Sequence, residues 1–262
     1  MEVSFYILGF LFSTSLASFY TNLVYRIYFY FYTKERRKFT TKEKWKIIFF
    51  KPSRCESCDT EILPLHLIPI FGYFLSKRKC PRCDVKIEKT YFLIEILFGF
   101  LFLLLYFKTK NFILSISVLA LLGHSLLTIY TDLKKFTIDY ENIPFIVLFG
   151  SLANYQLGEE IFSLSRLYIF LGFAICFLLL YFFYKQGIGL GDVLFISFFA
   201  MLTGHPYWIL FLNTSYISGI LFSFIFRDKK KSFLKMQIPM GVYFSISLFL
   251  IYLIKIIYPL EL

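Results

Sequence analysis

Eight runs of mostly apolar residues constrain this chain more than any other feature. They lie at about 4–31, 91–107, 111–131, 142–157, 164–184, 192–205, 207–226 and 238–258. A helix that crosses a bilayer needs about 20 such residues. In lipid, every backbone N–H and C=O must be satisfied within the segment or a closed barrel, so runs of this length are helices. The fourth and sixth runs are short, which suits tilted, broken or protein-buried segments. The expected fold is therefore an all-α polytopic membrane protein with about eight transmembrane helices. The long polar interval 33–90 is the one candidate extramembrane domain. It divides the chain into a first transmembrane helix (1–32), a small four-cysteine domain (33–90) and a membrane-embedded domain (91–262). No internal repeat or low-complexity tract stands out beyond a bias to aromatics, 22% of the 262 residues. A soluble domain with so many buried apolar helices would be exceptional.

The net charge of +11 would suit a nucleic-acid partner, but its placement does not. The basic residues fall between the apolar runs, as in loops beside an anionic membrane. With the N-terminus outside, the loops 33–90, 132–141, 185–191 and 227–237 face the cytoplasm. Together with Arg26 they carry 24 of the 28 Lys and Arg residues. Lys108, Lys110, Arg166 and Lys255 are the remainder. The positive-inside rule favours that orientation. Met1-Glu2 precedes the first apolar run where a secretory signal would be basic, so that run reads as an uncleaved helix. Lipid is the expected environment and nucleic acid is not an expected partner.

Four of the five cysteines form two pairs in one basic loop: Cys55-Glu56-Ser57-Cys58, then 21 residues, then Cys80-Pro81-Arg82-Cys83. Two such pairs are the usual way to offer four thiolates to one tetrahedral zinc, and a closed four-thiolate site is structural. Arg54, Lys77, Arg78, Lys79 and Arg82 favour the thiolate form. Two disulfides or four free thiols are the alternatives, and a cytoplasmic location disfavours the disulfides. Cys176 sits alone in an apolar run, where it reads as a small packing residue.

Two aspartates stand at the edges of apolar runs. Asp132 follows the run that ends at Thr131. Asp192 follows Gly187-Ile188-Gly189-Leu190-Gly191 and opens another. Carboxylates at membrane depth are costly and tend to be functional. The glycines allow a tight turn and close approach, and a helix starting there would place Asp192 at its positive end. Two adjacent carboxylates share a proton, so that one activates a water while the other acts as an acid. That is aspartic proteolysis, and the orientation above puts both aspartates and all four paired cysteines on the cytoplasmic side. Each Asp taken alone is also a plausible helix cap.

Other conspicuous residues are read more plainly. His124 suits packing or a hydrogen bond across helices. Glu95 suits a positioning role or a partner for a nearby cation. His205-Pro206 reads as a turn, and Lys229-Lys230-Lys231 as a solvated basic face near lipid. Asp139 lies in a polar loop.

These residues together resemble one family, the bacterial type IV prepilin peptidases, over most of the chain. Lys51-Pro52-Ser53-Arg54-Cys55-Glu56-Ser57-Cys58 resembles its first knuckle. Ile68-Pro69-Ile70 resembles the step between the knuckles, and Tyr91 to Gly99 the entry to the second helix. Asp132 with Ile138 fits the first catalytic motif and Gly189-Leu190-Gly191-Asp192 the second. Gln237-Ile238-Pro239-Met240-Gly241 resembles the step into the last helix. The resemblance implies an aspartic endopeptidase of the inner membrane that removes a short basic leader from prepilins or pseudopilins after a glycine. It also implies methylation of the new N-terminus with S-adenosylmethionine, an activity associated with the knuckled loop. The sequence departs from the family at Thr21, where Asn is usual, at His66-Leu67, where Asp-Asn is usual, and at Phe92 and Asp139, where Pro is usual.

Two other readings fit fewer residues. A presenilin-like intramembrane protease also uses Gly-x-Gly-Asp but lacks a four-cysteine loop. A membrane scaffold or transporter could use the aspartates to bind ions.

Overall fold

The computed structural model describes residues 2–161, 163–184, 188–225 and 238–258. Gly187, Lys229-Lys230-Lys231, Gln237 and the rest of the loop 227–237 lie outside the described residues. All eight apolar runs are helical, and the described residues hold no strand, only two isolated β-bridges. Six helices are long and apolar enough to cross a membrane: Val3–Tyr32, Lys89–Thr109, Phe112–Lys135, Leu164–Phe183, Tyr207–Ile225 and Met240–Ile257. The protein is thus a multi-pass membrane protein. The other two runs form helices of only 14 residues, Ile143–Gln156 and Leu190–Thr203. At 1.5 Å per residue each is about 21 Å long, short of a hydrocarbon core of about 30 Å.

The chain forms two compact units, Met1–Phe112 and Ile113–Leu262. In the first, α1 (Glu2–Ile27) continues through a π-helical turn at Tyr28–Tyr32, and α2 (Thr41–Phe50), α3 (Phe71–Leu75) and α4 (Lys89–Thr109) follow. α1 and α4 pack together through a reciprocal exchange of glycine and phenylalanine. A Cβ on Gly9 would lie 1.9 Å from the Phe102 ring, and one on Gly99 would lie 2.5 Å from that of Phe10. Without a hydrophobic drive between helices in lipid, such small residues permit the close approach that gives packing energy. Thr40 starts α2 with a capping box. Its N–H donates to Glu43 at 2.8 Å, and its hydroxyl accepts from the Glu43 N–H at 3.4 Å. The α2 carbonyls of Ile47 and Ile48 accept from Arg26 at 3.3 and 2.6 Å, and Pro52 accepts from it at 3.2 Å. A cation thereby meets the negative end of the helix.

The second unit contains α5 (Phe112–Lys135), α6 (Ile143–Gln156), α7 (Leu164–Phe183), α8 (Leu190–Thr203), α9 (Tyr207–Ile225) and α10 (Met240–Ile257). Short α8 is its core and packs against α6, α7, α9 and α10. Phe195, Ile196, Phe199 and Ala200 are wholly buried. Ring contacts run from Phe199 of α8 through Phe211 of α9 to Phe244 of α10, at 6.2 and 6.1 Å. The far end of α8 is tied down by polar groups. Its Leu202 carbonyl accepts from Asn154 at 2.8 Å and from Arg166 at 2.9 Å. Glu159 pairs with Arg166 and, at 2.8 Å, with Lys255. Gly204, at φ +69°, ends the helix with Arg166 lying 3.2 Å from where a Cβ would be.

Candidate active site and metal centre

Asp132 lies in the last turn of α5 and is only 4% exposed. Phe136 takes a left-handed conformation (φ +51°) and returns its N–H to the Asp132 carbonyl at 2.8 Å, which ends the helix. The chain then passes Ile138 to a short 3-10 turn, Tyr140–Asn142, capped by Asp139, whose side chain accepts from the Glu141 N–H at 3.2 Å. Asn142 pins this turn back onto α5. Its amide donates to the His124 carbonyl at 2.7 Å and to the Thr128 hydroxyl at 3.0 Å, and its Oδ1 meets His124 Nδ1 at 2.7 Å. His124 also stacks on Phe145 at 5.0 Å. The packing and cross-helix roles expected of His124 therefore both appear.

The fixed turn places Ile138 between two glycines. A Cβ on Gly191 would lie 3.4 Å from Ile138 Cβ and from the Tyr140 hydroxyl. One on Gly241 would lie 2.9 Å from Asp132 Oδ2 and 3.2 Å from Ile138 Cδ1. Gly241 opens α10, and its amide and that of Val242 face the Asp132 carboxylate. Asp132 Oδ2 is nonetheless buried without a hydrogen-bond partner among the described residues. A buried, unpartnered carboxylate oxygen is costly.

Asp192 stands in the first turn of α8, where the glycine-rich approach led us to expect a helix start. Its Oδ2 accepts from the Gly189 N–H at 3.1 Å, so it caps its own helix. That capping does not account for the rest of its surroundings. Its charge reaches Asp132. Carboxylates from α5 and α8 thus lie within electrostatic reach, each beside a helix N-terminus whose partial positive charge offsets their repulsion. Tyr216 of α9 lies within electrostatic reach of Asp192, and Tyr243 of α10 within reach of Asp132.

The cysteines form a separate cluster in the first unit. All four sulfurs lie within 4.8 Å of one another. Cys55–Cys83 and Cys58–Cys80 are both 3.8 Å apart. A disulfide needs about 2.05 Å, and the cysteines are free. Four sulfurs about 2.3 Å from a tetrahedral zinc lie about 3.8 Å apart, so the arrangement fits that ion. The two turns are built alike at an offset of 25 residues. Cys55 N–H bonds the Thr60 carbonyl at 2.8 Å and Cys80 N–H that of Val85 at 2.9 Å. Bridges Arg54–Glu61 and Lys79–Lys86 close them, and Asp59 and Asp84 take left-handed φ of +50° and +55°. The repeated Cys-x-x-Cys-Asp pattern is the sequence signal for this internal repeat, which the reading above passed over. The Thr60 hydroxyl, 3.2 Å from Cys58 Sγ, helps draw that thiol down to about 6. Cys83, despite a hydrogen bond from the Val85 amide, is pushed up to about 12 by desolvation and the neighbouring sulfurs. Four thiols this close cannot all ionise without a cation among them.

Two family models match the chain. Bacterial Peptidase A24 N-terminal domain matches residues 11–109, and Type IV leader peptidase family matches residues 119–224. The chain belongs to the type IV leader peptidase family. It is therefore a peptidase. The leader peptidase match holds Asp132, Ile138, Gly191 and Asp192, and the N-terminal match holds all four paired cysteines and Glu95. No curated protein and no solved structure gave a significant match.

Several placements differ from simple expectation. Among the described residues Glu95 forms no ion pair: it is buried and accepts from the Ile70 N–H at 2.7 Å. Cys176 is exposed on α7, a helix that buries little of its surface, and does not pack inside. Asn142, Tyr216 and Tyr243 were not anticipated, because nothing in their local sequence marks them. Arg166 and Lys255 were visible only as exceptions to the charge pattern. Burial beside Glu159 explains how they occur away from the basic loops.

Proposed function

We propose that this leader peptidase is an aspartic endopeptidase in which Asp132 and Asp192 are the catalytic pair. Its substrates are prepilins or pseudopilins, cut after a glycine at the end of a short basic leader. What supports this reading is that two carboxylates from separate helices lie within electrostatic reach of each other around Ile138, one with a buried oxygen that has no partner among the described residues. One carboxylate draws a proton from water, the other protonates the scissile carbonyl oxygen, and the roles then reverse. The α10 amides near Asp132 hold its carboxylate in place, and Ile138 and Tyr140 crowd the space beside Gly191. We further propose that the two short helices complete an eight-helix membrane portion behind longer neighbours. In this reading the site faces the cytoplasm, with the N-terminus outside. A reporter fused after residue 90 should then lie in the cytoplasm and one at 158–163 outside; the reverse would overturn the orientation.

The four cysteines would hold one structural zinc, which ties the two turns of the loop together and takes no part in hydrolysis. Methylation with S-adenosylmethionine is proposed on the resemblance and the N-terminal family match. The first unit holds an open cavity of about 370 Å³, with Asn22, Arg26, Ser53 and Glu61 among its lining. Nothing in it selects that donor, so no step is derived through it.

The test is leader removal by purified protein from a prepilin, read by mass spectrometry. Asp132→Asn and Asp192→Asn keep side-chain shape and remove charge, so each should abolish cleavage. The double variant should be no worse than either, because residues acting as a unit are non-additive. Asp139→Asn should retain most activity, since Asn caps a turn about as well as Asp. Substantial cleavage by either single variant at normal protein levels would favour a scaffold or ion-binding role.

A further inference from the structure

The loop between the first two spans carries an exposed apolar surface that the peptidase chemistry does not use. Leu63, Leu65, Leu67, Phe71, Phe74 and Leu75 are each between 41% and 62% exposed. So many exposed large apolar side chains on one short segment point to an interaction surface. Its depth is set by α4. Phe92, in the first turn of that helix, meets Tyr73 at 4.9 Å and Phe74 at 5.2 Å. Glu95, about 9 Å along the helix axis from Lys89, accepts from the Ile70 N–H at 2.7 Å. The segment therefore lies beside the opening turns of a membrane span.

A strained turn holds it there. Ile70 sits at φ +66° and ψ −56°, and the Phe71 N–H bonds the Pro69 carbonyl at 2.7 Å. This is a γ-turn of the rare, strained kind, unusual for a β-branched residue. Charge borders the apolar face. Lys77, Arg78 and Lys79 follow Ser76, the residue that caps α3, and the Arg78 guanidinium lies 5.9 and 5.7 Å from the Tyr73 and Phe74 ring centroids. A cation laid over aromatic rings beside exposed leucines fits the boundary between acyl chains and anionic headgroups.

We propose that residues 63–79 form a membrane-interface wedge, whose apolar side chains enter the bilayer beside α4 and whose Lys77, Arg78 and Lys79 engage anionic phospholipid. Glu95 is its positioning residue: its carboxylate fixes the turn that aims the wedge. This gives Glu95 a role independent of leader cleavage and seats the cysteine cluster at the membrane surface.

The test uses the full chain in lipid nanodiscs. Trp45→Phe and Trp208→Phe remove the native indoles, and Phe74→Trp supplies a reporter. Lipids brominated near the headgroup end of the acyl chain should remove roughly half or more of its emission, as for a side chain buried 5–10 Å. Aqueous acrylamide should quench it little. Brominated phosphatidylglycerol diluted into phosphatidylcholine should quench above its mole fraction. Lys77→Gln and Arg78→Gln should lower that preference roughly fivefold per charge. Glu95→Ala should move the reporter into water, and Glu95→Gln, which keeps an acceptor oxygen, should not. A reporter reached by acrylamide and not by brominated lipid would overturn the proposal and leave the face to a protein partner. That result is read in the Glu95 background, so it stands even where Glu95→Ala does not fold.

Discussion

Gly241→Ala is the sharpest probe of the proposed site. The new Cβ would lie 2.9 Å from Asp132 Oδ2, where ordinary contacts begin near 3.4 Å. Either the carboxylate or the first turn of α10 must then give by about 0.5 Å. Ile138 cannot absorb the change, because its Cδ1 and Cγ1 would lie 3.2 Å from the same atom. A misplacement of about 1 Å can cost about a hundredfold in rate. Half of that corresponds to roughly tenfold in kcat/KM, or about 1.4 kcal/mol of barrier. Stability should change little, since the gain of Ala over Gly, about 1 kcal/mol in a helix interior and less in this first turn, offsets part of the crowding. A control separates the site from general damage. Gly172→Ala meets nothing within 4 Å and should stay within about twofold of the parent protein. The assay is kcat/KM for leader cleavage beside a thermal melt in detergent. Full activity in Gly241→Ala, or an equal loss in Gly172→Ala, would refute the placement of Asp132 against α10.

Glu159→Gln should leave Arg166 and Lys255 without their shared carboxylate. The Glu159 side chain is 29% exposed, so the loss takes the low end of the buried-pair range, about 3 kcal/mol. It should appear as a melting temperature roughly 6–12 °C lower, and an unchanged melt would show that the network does not brace α8. The cysteines should bind one zinc per chain by elemental analysis and release it between about pH 7 and 5, as protons compete for the thiolates. Full loading in a chain lacking Cys55, Cys58, Cys80 and Cys83 would refute the metal centre.

The apolar runs, the paired cysteines and both aspartates were legible because their causes are local. A backbone in lipid closes its hydrogen bonds within one segment, so run length alone marks a helix. Two residues between cysteines bring two sulfurs to one point whatever surrounds them. Length was also local, yet it did not tell how α6 and α8 are housed: α8 is too short to face lipid along its whole course and is buried by four neighbours. Contacts between distant residues were not legible. Gly241 lies 109 positions from the Asp132 it crowds, and Asn142 reaches back across a turn to His124 and Thr128. Glu159, in the loop after α6, neutralises cations from two helices. Which side chain faces which depends on helix rotation and on where small residues let backbones approach. Those are properties of packed pairs of helices, and no single segment encodes them.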